Sequence, residues 1–215
     1  MSNPSIILDC ISAAKDIVVA SAALVTAGIA YAGLDKWRSE LRGRADFDTA
    51  RRLALATYRL RNALRQARDP LILGNEFPSG YHANLGRKDD DEESAAWRHI
   101  YSNRWAPVMH AVQELDAAAL EAEASMWQGN VRQTVEALRG CTWELRTAME
   151  SKIDDAASGG QIFRSNQGHA LKTRQRLSFS VSADDNPLNA KIDAAVRDLE
   201  DLLRPHLARG RERTR

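Results

Sequence analysis

The stretch that decides the fold is Ile17–Leu34, IVVASAALVTAGIAYAGL, which contains no charged residue. As an α-helix, these eighteen residues rise about 27 Å, close to the roughly 30 Å hydrocarbon thickness of a bilayer. Tyr31 and Trp37 lie near its C-terminal end, where amphipathic rings settle at a membrane interface. The run therefore predicts a single transmembrane helix over residues 17–34.

Two other interpretations of the same run stay open. A cleaved signal peptide fits the small residues on either side of Tyr31, but acidic Asp9 and Asp16 stand where a signal has a basic segment. A buried helix of a soluble domain fits the high alanine content. In that case the apolar atoms of the run should be covered on all sides.

Basic residues follow the run rather than precede it. Lys15 is the one base before it, whereas the next twenty residues contain Lys36, Arg38, Arg42, Arg44, Arg51 and Arg52. By the positive-inside rule, this predicts an external N-terminus over 1–16 and a cytoplasmic body. Residues 35–45 are expected to be a basic juxtamembrane linker that meets the interface and anionic lipid headgroups. Its interface residues are Lys36, Trp37, Arg38, Arg42 and Arg44.

Small residues recur at helical spacing within the predicted span, at Ala22, Thr26, Ala30 and Gly33. A face of small side chains allows two helices to approach closely in lipid. The spacing therefore predicts that this face associates with another helix, which favours a homo-oligomer or a helical protein partner.

The rest of the chain predicts amphipathic helices over about 46–68, 92–127, 131–153 and from Pro187 onward. The apolar residues of each helix form only a narrow stripe along one face, which we call its seam. A helix with so little apolar surface is not stable alone in water. We therefore expect an all-α protein, with a cytosolic four-helix bundle or antiparallel coiled-coil-like hairpins over 46–208 and a disordered basic tail over 209–215. Gly129–Asn130 favours a hairpin, and one continuous rod stays the alternative.

Two segments between the helices have patterns of their own. Leu177, Phe179 and Val181 alternate with serines as in a half-buried strand, and a small β-hairpin with Gln161–Phe163 is an expectation. The acidic run over 89–93 is expected to begin a helix, because acidic side chains suit the positive end of a helix dipole.

Composition excludes several classes of protein. The chain has 215 residues, and its mean hydropathy of −0.44 excludes a polytopic membrane protein. Its net charge of +1 does not favour nucleic-acid binding. Cys10 and Cys141 are too isolated for a disulfide scaffold or a structural zinc site. No phosphate-binding loop, nucleophile elbow or HExxH motif is found, so we expect no cofactor and no metal.

Several short patterns carry a resemblance to known proteins. They are Gly33–Leu41, Ala50–Leu53, Tyr58–Ala63, Arg104–Trp105, Leu115–Ala117, Leu120–Glu123 and Leu203–Leu207. Together they resemble a group of small bacterial proteins with one N-terminal membrane span, a cytosolic helical domain and no assigned activity. The resemblance implies an anchor and a helical body, and it implies no catalytic residue.

A second resemblance concerns Arg104 and His110, whose spacing on a helix is similar to that in HEPN-type ribonucleases. In that family the pair would bind phosphate and move a proton. Trp105 and Pro107 depart from the family pattern. The pair should converge at an open cleft if this alternative holds.

The sequence thus favours a membrane-anchored helical interaction or scaffold protein without catalytic activity. One alternative is a membrane-tethered ribonuclease that uses Arg104 and His110. The other is a soluble helical binding module whose core contains residues 17–34.

Overall fold

In a computed structural model of the chain, every regular element among the described residues is helical. The structure describes residues 4–81, 89–125, 131–179 and 186–211, without the side chains of 4–14, 16–18, 20 and 209–211. The α-helices are α1 (Pro4–Ala67), α2 (Asp90–Ala124), α3 (Val131–Ala157), α4 (Gln161–Ser165), α5 (Gln167–Leu177) and α6 (Pro187–Arg211). A short 3-10 helix, Gly74–Glu76, lies between α1 and α2. The prediction of an all-α protein is confirmed.

The first helix runs without interruption from Pro4 to Ala67. The predicted break between the span and a second helix is not there, and residues 35–45 are helical. Gly43 is the one strong helix breaker in that segment, and a single glycine costs only about 1 kcal/mol relative to alanine. The chain divides into two compact units, Met1–Asp46 and Phe47–Arg215, and α1 contributes to both.

Helices α2 and α3 form an antiparallel hairpin. Near the connection, Arg132 lies 3.3 Å from Glu123, and farther away Arg139 lies 3.8 Å from Asp116. As the residue number rises along α3 from 132 to 139, the number of the α2 partner falls from 123 to 116, so the two helices are antiparallel. The predicted hairpin is confirmed and the continuous rod is not observed, although the predicted turn at 129–130 lies outside the described residues.

The C-terminal part of α1 completes a four-helix bundle with α2, α3 and α6. Arg52 and Arg59 on α1 reach acidic partners on α2 that lie in reverse order, so these two helices are antiparallel. The Tyr58 hydroxyl donates a hydrogen bond to Glu200 on α6 over 2.8 Å. On the opposite side of α6, Lys191 pairs with a glutamate of α3.

The core of the bundle consists of the seams that the sequence predicts. Fully buried leucines come from all four helices, namely Leu53, Leu60, Leu64, Leu115, Leu138, Leu145, Leu199 and Leu203. Burial of each such side chain contributes roughly 1.5–3 kcal/mol relative to leaving it exposed. Among the described residues, the core begins at Ala50 and takes nothing from the preceding part of α1.

The predicted β-hairpin before the last helix is wrong, because Gln161–Phe163 lies in α4 and Leu177 ends α5. The backbone N–H of Phe179 donates to the carbonyl oxygen of Arg68 over 3.2 Å. The Phe179 ring also lies 5.0 Å from the guanidinium of Arg65. Of the three alternating apolar residues, Leu177 is therefore helical, Phe179 packs on α1, and Val181 lies outside the described residues.

Both ends of α6 bear on the sequence predictions. The Asn186 side chain accepts a hydrogen bond from the backbone N–H of Asn189 over 3.3 Å, which caps the helix directly before its predicted start at Pro187. The helix then continues through Pro205 to Arg211, beyond the predicted start of a disordered tail. The remaining tail residues, 212–215, lie outside the described part of the chain.

Candidate functional site

The apolar run of α1 is exposed. Its described large apolar side chains are Val19, Leu24, Val25, Ile29, Tyr31 and Leu34, with exposed fractions from 42% to 75%. Contiguous exposed apolar surface of this kind marks an interaction site or a membrane contact. The soluble binding module requires this run to belong to the core, and the structure does not place it there.

Across the residues that the structure describes, no helix offers a stretch both long and apolar enough to cross a membrane. The predicted span includes Ile17, Val18 and Ala20, whose side chains lie outside the described residues. Most of the predicted external segment, 1–16, also lies outside them.

The five predicted interface residues all lie on exposed surface of α1, immediately after the apolar run. They are Lys36, Trp37, Arg38, Arg42 and Arg44. Farther along α1 the bases have partners within the bundle: Arg52 pairs with Glu121, Arg59 pairs with Glu114, and Arg68 is buried. The basic surface directly beside the apolar run thus contains the five predicted interface residues.

The small-residue face of the run is also exposed, at Ala22, Thr26, Ala30 and Gly33. The Thr26 hydroxyl donates to the carbonyl oxygen of Ala22 over 2.9 Å, so its polar group is satisfied within the helix. A Cβ added at Gly33 would meet nothing within 4 Å. This face therefore has room for a second helix.

The structure does not bring Arg104 and His110 together as a catalytic pair. Six positions along an α-helix rotate a side chain by about 240°, so the two residues face different directions. The Arg104 guanidinium donates to both carboxylate oxygens of Glu76 over 2.5 and 2.8 Å. The exposed His110 ring lies 3.7 Å from Glu114 on its own helix.

Arg104 instead holds the loop between α1 and α2 against α2. It donates further hydrogen bonds to the carbonyl oxygens of Asp69 over 2.5 Å and Leu71 over 2.7 Å. The hydrogen bond from Arg104 holds the pKa of the Glu76 carboxyl below its usual range. The carboxylate of Glu76 also accepts from the backbone N–H of Leu73, which fixes the short 3-10 helix.

Arg68 is a buried cation that the sequence does not single out, because 30 Lys and Arg residues are spread along the chain. Its guanidinium donates to the carbonyl oxygens of Gln175, Arg176 and Ser178 and to the side chains of Asn186 and Asn189. Burial lowers the pKa of Arg68 to about 10, so the side chain is still charged at neutral pH. It joins the ends of α1 and α5 to the start of α6.

A cavity of about 850 Å³ lies beside this junction, between the ends of α1 and α3, the first turns of α2, and α4 and α5. Its walls are mostly apolar: Ile72, Trp97, Tyr101, Phe163, Leu171 and Leu177. Trp97 and Tyr101 stack at a ring separation of 5.4 Å. Tyr101 belongs to the core and Trp97 packs against it, and both also form a wall of this cavity.

Two polar groups in this cavity stand out. The Lys152 ammonium lies 5.1 Å from the ring centre of Trp97 and 5.8 Å from that of Phe163. Its distance to Asp155 is 3.8 Å, which makes an ion pair that is too long for a hydrogen bond. Thr173 is 1% exposed, and its hydroxyl has no hydrogen-bond partner among the described residues.

No group of His, Cys, Asp and Glu side chains within the described ranges is arranged to hold a metal ion. Comparison of the chain with protein-family models, with curated proteins and with solved structures finds no match. The exposed run and the cavity therefore bear most directly on function.

Proposed function

We propose that the protein is a membrane-anchored helical interaction protein, with residues 17–34 as its single span. The observation that carries this proposal is the exposure of the large apolar side chains of α1 between Val19 and Leu34. Burial of Leu24, Val25 and Ile29 in lipid contributes roughly 1.5–3 kcal/mol for each side chain. Within the run, the hydrogen bond of Thr26 to Ala22 lowers the cost of placing a hydroxyl in hydrocarbon.

The charges after the run support one orientation in a bacterial inner membrane. Lys36, Arg38, Arg42 and Arg44 are exposed directly beside the apolar segment, where they can contact anionic lipid headgroups. The positive-inside rule then places the N-terminus outside and the bundle in the cytoplasm.

Fractionation of cells that express the full-length chain tests the anchor. We expect the protein to stay with membranes through washes with high salt and alkaline carbonate, because lipid covers the apolar run. Leu24→Arg places a charge at the middle of the run and should release a large share of the protein. The matched control is Leu55→Arg, which changes an exposed leucine of the bundle and should leave the protein in the membrane fraction.

Release of the unaltered protein by carbonate would contradict the anchor. So would equal behaviour of Leu24→Arg and Leu55→Arg, because the location of the apolar surface would then be irrelevant. Circular dichroism of both variants checks that the helices have formed.

The partner in this interaction is a second copy of the same chain, which contacts the small-residue face of the span. Ala22, Ala30 and Gly33 leave room for the backbone of another helix, and such close approach favours association in lipid. Gly33→Leu should lower the yield of chemically cross-linked dimer in membranes several-fold. Ile29→Leu keeps the volume of its side chain and is the control. An unchanged dimer yield in Gly33→Leu would refute association through this face.

A further inference from the structure

We propose that the cavity beside the Arg68 junction binds an aromatic carboxylate. This site is separate from the exposed run of α1, because every residue that lines the cavity belongs to the unit Phe47–Arg215. Its volume of about 850 Å³ falls in the range of small-molecule sites, which is roughly 300–1,000 Å³.

The aromatic part of the ligand follows from the walls. The Trp97 and Phe163 ring centres lie 5.1 and 5.8 Å from the Lys152 ammonium, and Tyr101 extends the wall through its stacking on Trp97. Flat aromatic surfaces favour offset or edge-on contact with another ring, which stabilises such a contact beyond burial of the same area. Ile72 supplies aliphatic surface to the same cavity.

The negative charge of the ligand follows from Lys152. Two acidic side chains close to the cavity already accept hydrogen bonds from the backbone. The carboxylate of Asp155 accepts from the N–H of Phe163, and that of Asp69 accepts from the N–H of Leu71. The Lys152 ammonium makes no hydrogen bond among the described residues. Its contact with the Asp155 carboxylate is an ion pair at 3.8 Å. The ammonium is therefore a donor available to a carboxylate in the cavity.

A polar anchor is the second observation that points to a ligand. Thr173 lines the cavity, and its almost fully buried hydroxyl has no hydrogen-bond partner among the described residues. A buried hydroxyl without a partner destabilises the fold, because the hydrogen bonds that it made to water are not replaced. A ligand carboxylate would accept a hydrogen bond from it and remove that cost. The cavity thus combines flat apolar walls with the donors of Lys152 and Thr173, the arrangement that an aromatic carboxylate requires.

The test measures binding of 2-naphthoate to the full-length chain in lipid nanodiscs by equilibrium dialysis, with empty nanodiscs as the blank. Naphthalene-2-methanol is the neutral comparison, because it has the same rings without the charge. We expect 2-naphthoate to bind more tightly by about tenfold, the factor that one charged hydrogen bond typically supplies. Absence of binding, or equal binding of the two compounds, would overturn the proposal.

Variants locate the binding at the cavity. Lys152→Met keeps the length of the side chain, removes the charge, and should raise the Kd for 2-naphthoate about tenfold. Lys172→Met removes a charge from an exposed position of α5 outside the cavity, and it should leave the Kd unchanged. Equal effects of the two substitutions would refute the role of Lys152.

Thr173→Val separates a ligand contact from a structural role. Valine has nearly the same shape and lacks the hydroxyl, so removal of this unpartnered group should leave the melting temperature unchanged or raise it. The same substitution should weaken binding of 2-naphthoate, because one of its two donors is lost. A lower melting temperature with unchanged binding would show that Thr173 serves the fold alone and would overturn its part in the site.

Discussion

Arg68 and Asn186 bind the same two backbone carbonyl oxygens, those of Gln175 and Ser178, and they also bind each other. Arg68 donates to these oxygens over 3.3 and 2.9 Å, and the Asn186 amide donates over 2.7 and 2.6 Å. Arg68 also donates to the Asn186 side-chain oxygen over 3.1 Å. Three helices therefore meet through one shared set of hydrogen bonds.

The shared carbonyl groups belong to the C-terminal end of α5, where helical carbonyls have no partner within the helix. Arg68 and Asn186 supply those partners from α1 and from the cap of α6. These hydrogen bonds hold the C-terminal end of α5 in place. They therefore also position Thr173 and Leu177, which belong to α5 and line the cavity. The junction is the part of the bundle in which hydrogen bonding, rather than apolar packing, fixes the arrangement.

Removal of the Arg68 charge should destabilise the bundle strongly. Arg68→Met retains much of the apolar stem but removes the Arg68 hydrogen bonds to the Arg176 carbonyl oxygen and the Asn189 side chain, and one of the two donors to the Gln175 and Ser178 carbonyl oxygens. We expect a loss of about 3 kcal/mol in the free energy of unfolding, measured by chemical denaturation. Arg61→Met changes an exposed arginine on the same helix and should alter the free energy by less than about 0.5 kcal/mol. Equal stability of the two variants would contradict the importance of the junction.

The Arg104–Glu76 pair predicts a specific dependence of stability on pH. The pKa of Glu76 is lowered in the folded protein, so the ionised carboxylate favours folding. Its contribution is complete above the unfolded pKa and is lost as the pH falls through the lower folded pKa. Glu76→Gln should cost about 1–3 kcal/mol at neutral pH, and its stability should approach that of the unaltered protein below about pH 4.

Urea denaturation at a series of pH values measures this convergence. Glu136→Gln is the control, because Glu136 forms an exposed pair with Arg139, and such pairs contribute little. A difference between the unaltered protein and Glu76→Gln that stayed constant down to low pH would contradict the linkage.

Two glycine substitutions should have effects of opposite sign. Gly159 adopts a φ of +62° at the end of α3, and a Cβ there would meet a carboxylate oxygen of Asp90 at 2.8 Å. Gly159→Ala should therefore lower the free energy of unfolding by about 1–2 kcal/mol. Gly140 lies within α3 with open space around it, so Gly140→Ala should raise it by about 1 kcal/mol. Thermal unfolding of both variants checks the signs, and a shift in the same direction would contradict this account.

The basic residues after the apolar run should control orientation in the membrane. Replacement of Lys36, Arg38, Arg42 and Arg44 by glutamine leaves few positive charges to retain this flank in the cytoplasm. A C-terminal alkaline phosphatase fusion, active only outside the cytoplasm, should gain activity several-fold in this variant. A second variant with Arg132, Arg139, Arg146 and Arg204 replaced by glutamine removes four bases of the bundle and should stay inactive. Equal activity of both fusions would refute control by the flank.

The seams show how far the sequence predicts the fold. Leu60 and Leu145 are predicted as core residues from their helical spacing alone, and both are fully buried. The cap at Asn186 is also predictable, because capping depends on residues within one turn. The separate second helix and the β-hairpin rest on weak local signals, Gly43 and an alternating segment around Phe179. Packing and helix propensity outweigh both.

The candidate site is less predictable, because its residues meet only in three dimensions. Arg68 lies more than one hundred positions from the carbonyl groups that it binds. Lys152 and Thr173 are ordinary helix residues in the sequence, and only the cavity gives them a common role. The sequence singles out Arg104 by its spacing to His110. In the structure its side chain binds Glu76, which is 28 positions away.

The sequence by itself determines the uncharged run at Ile17–Leu34, the basic flank after it, and the seams that hold four helices together. These features are periodic or contiguous, so they can be read from spacing and charge without knowledge of the neighbours. Tertiary structure decides that the run is exposed, that Arg68 is buried, and that a cavity with Lys152 and Thr173 opens beside it. Burial, hydrogen bonding and pKa depend on groups brought together from distant segments, which no local pattern specifies.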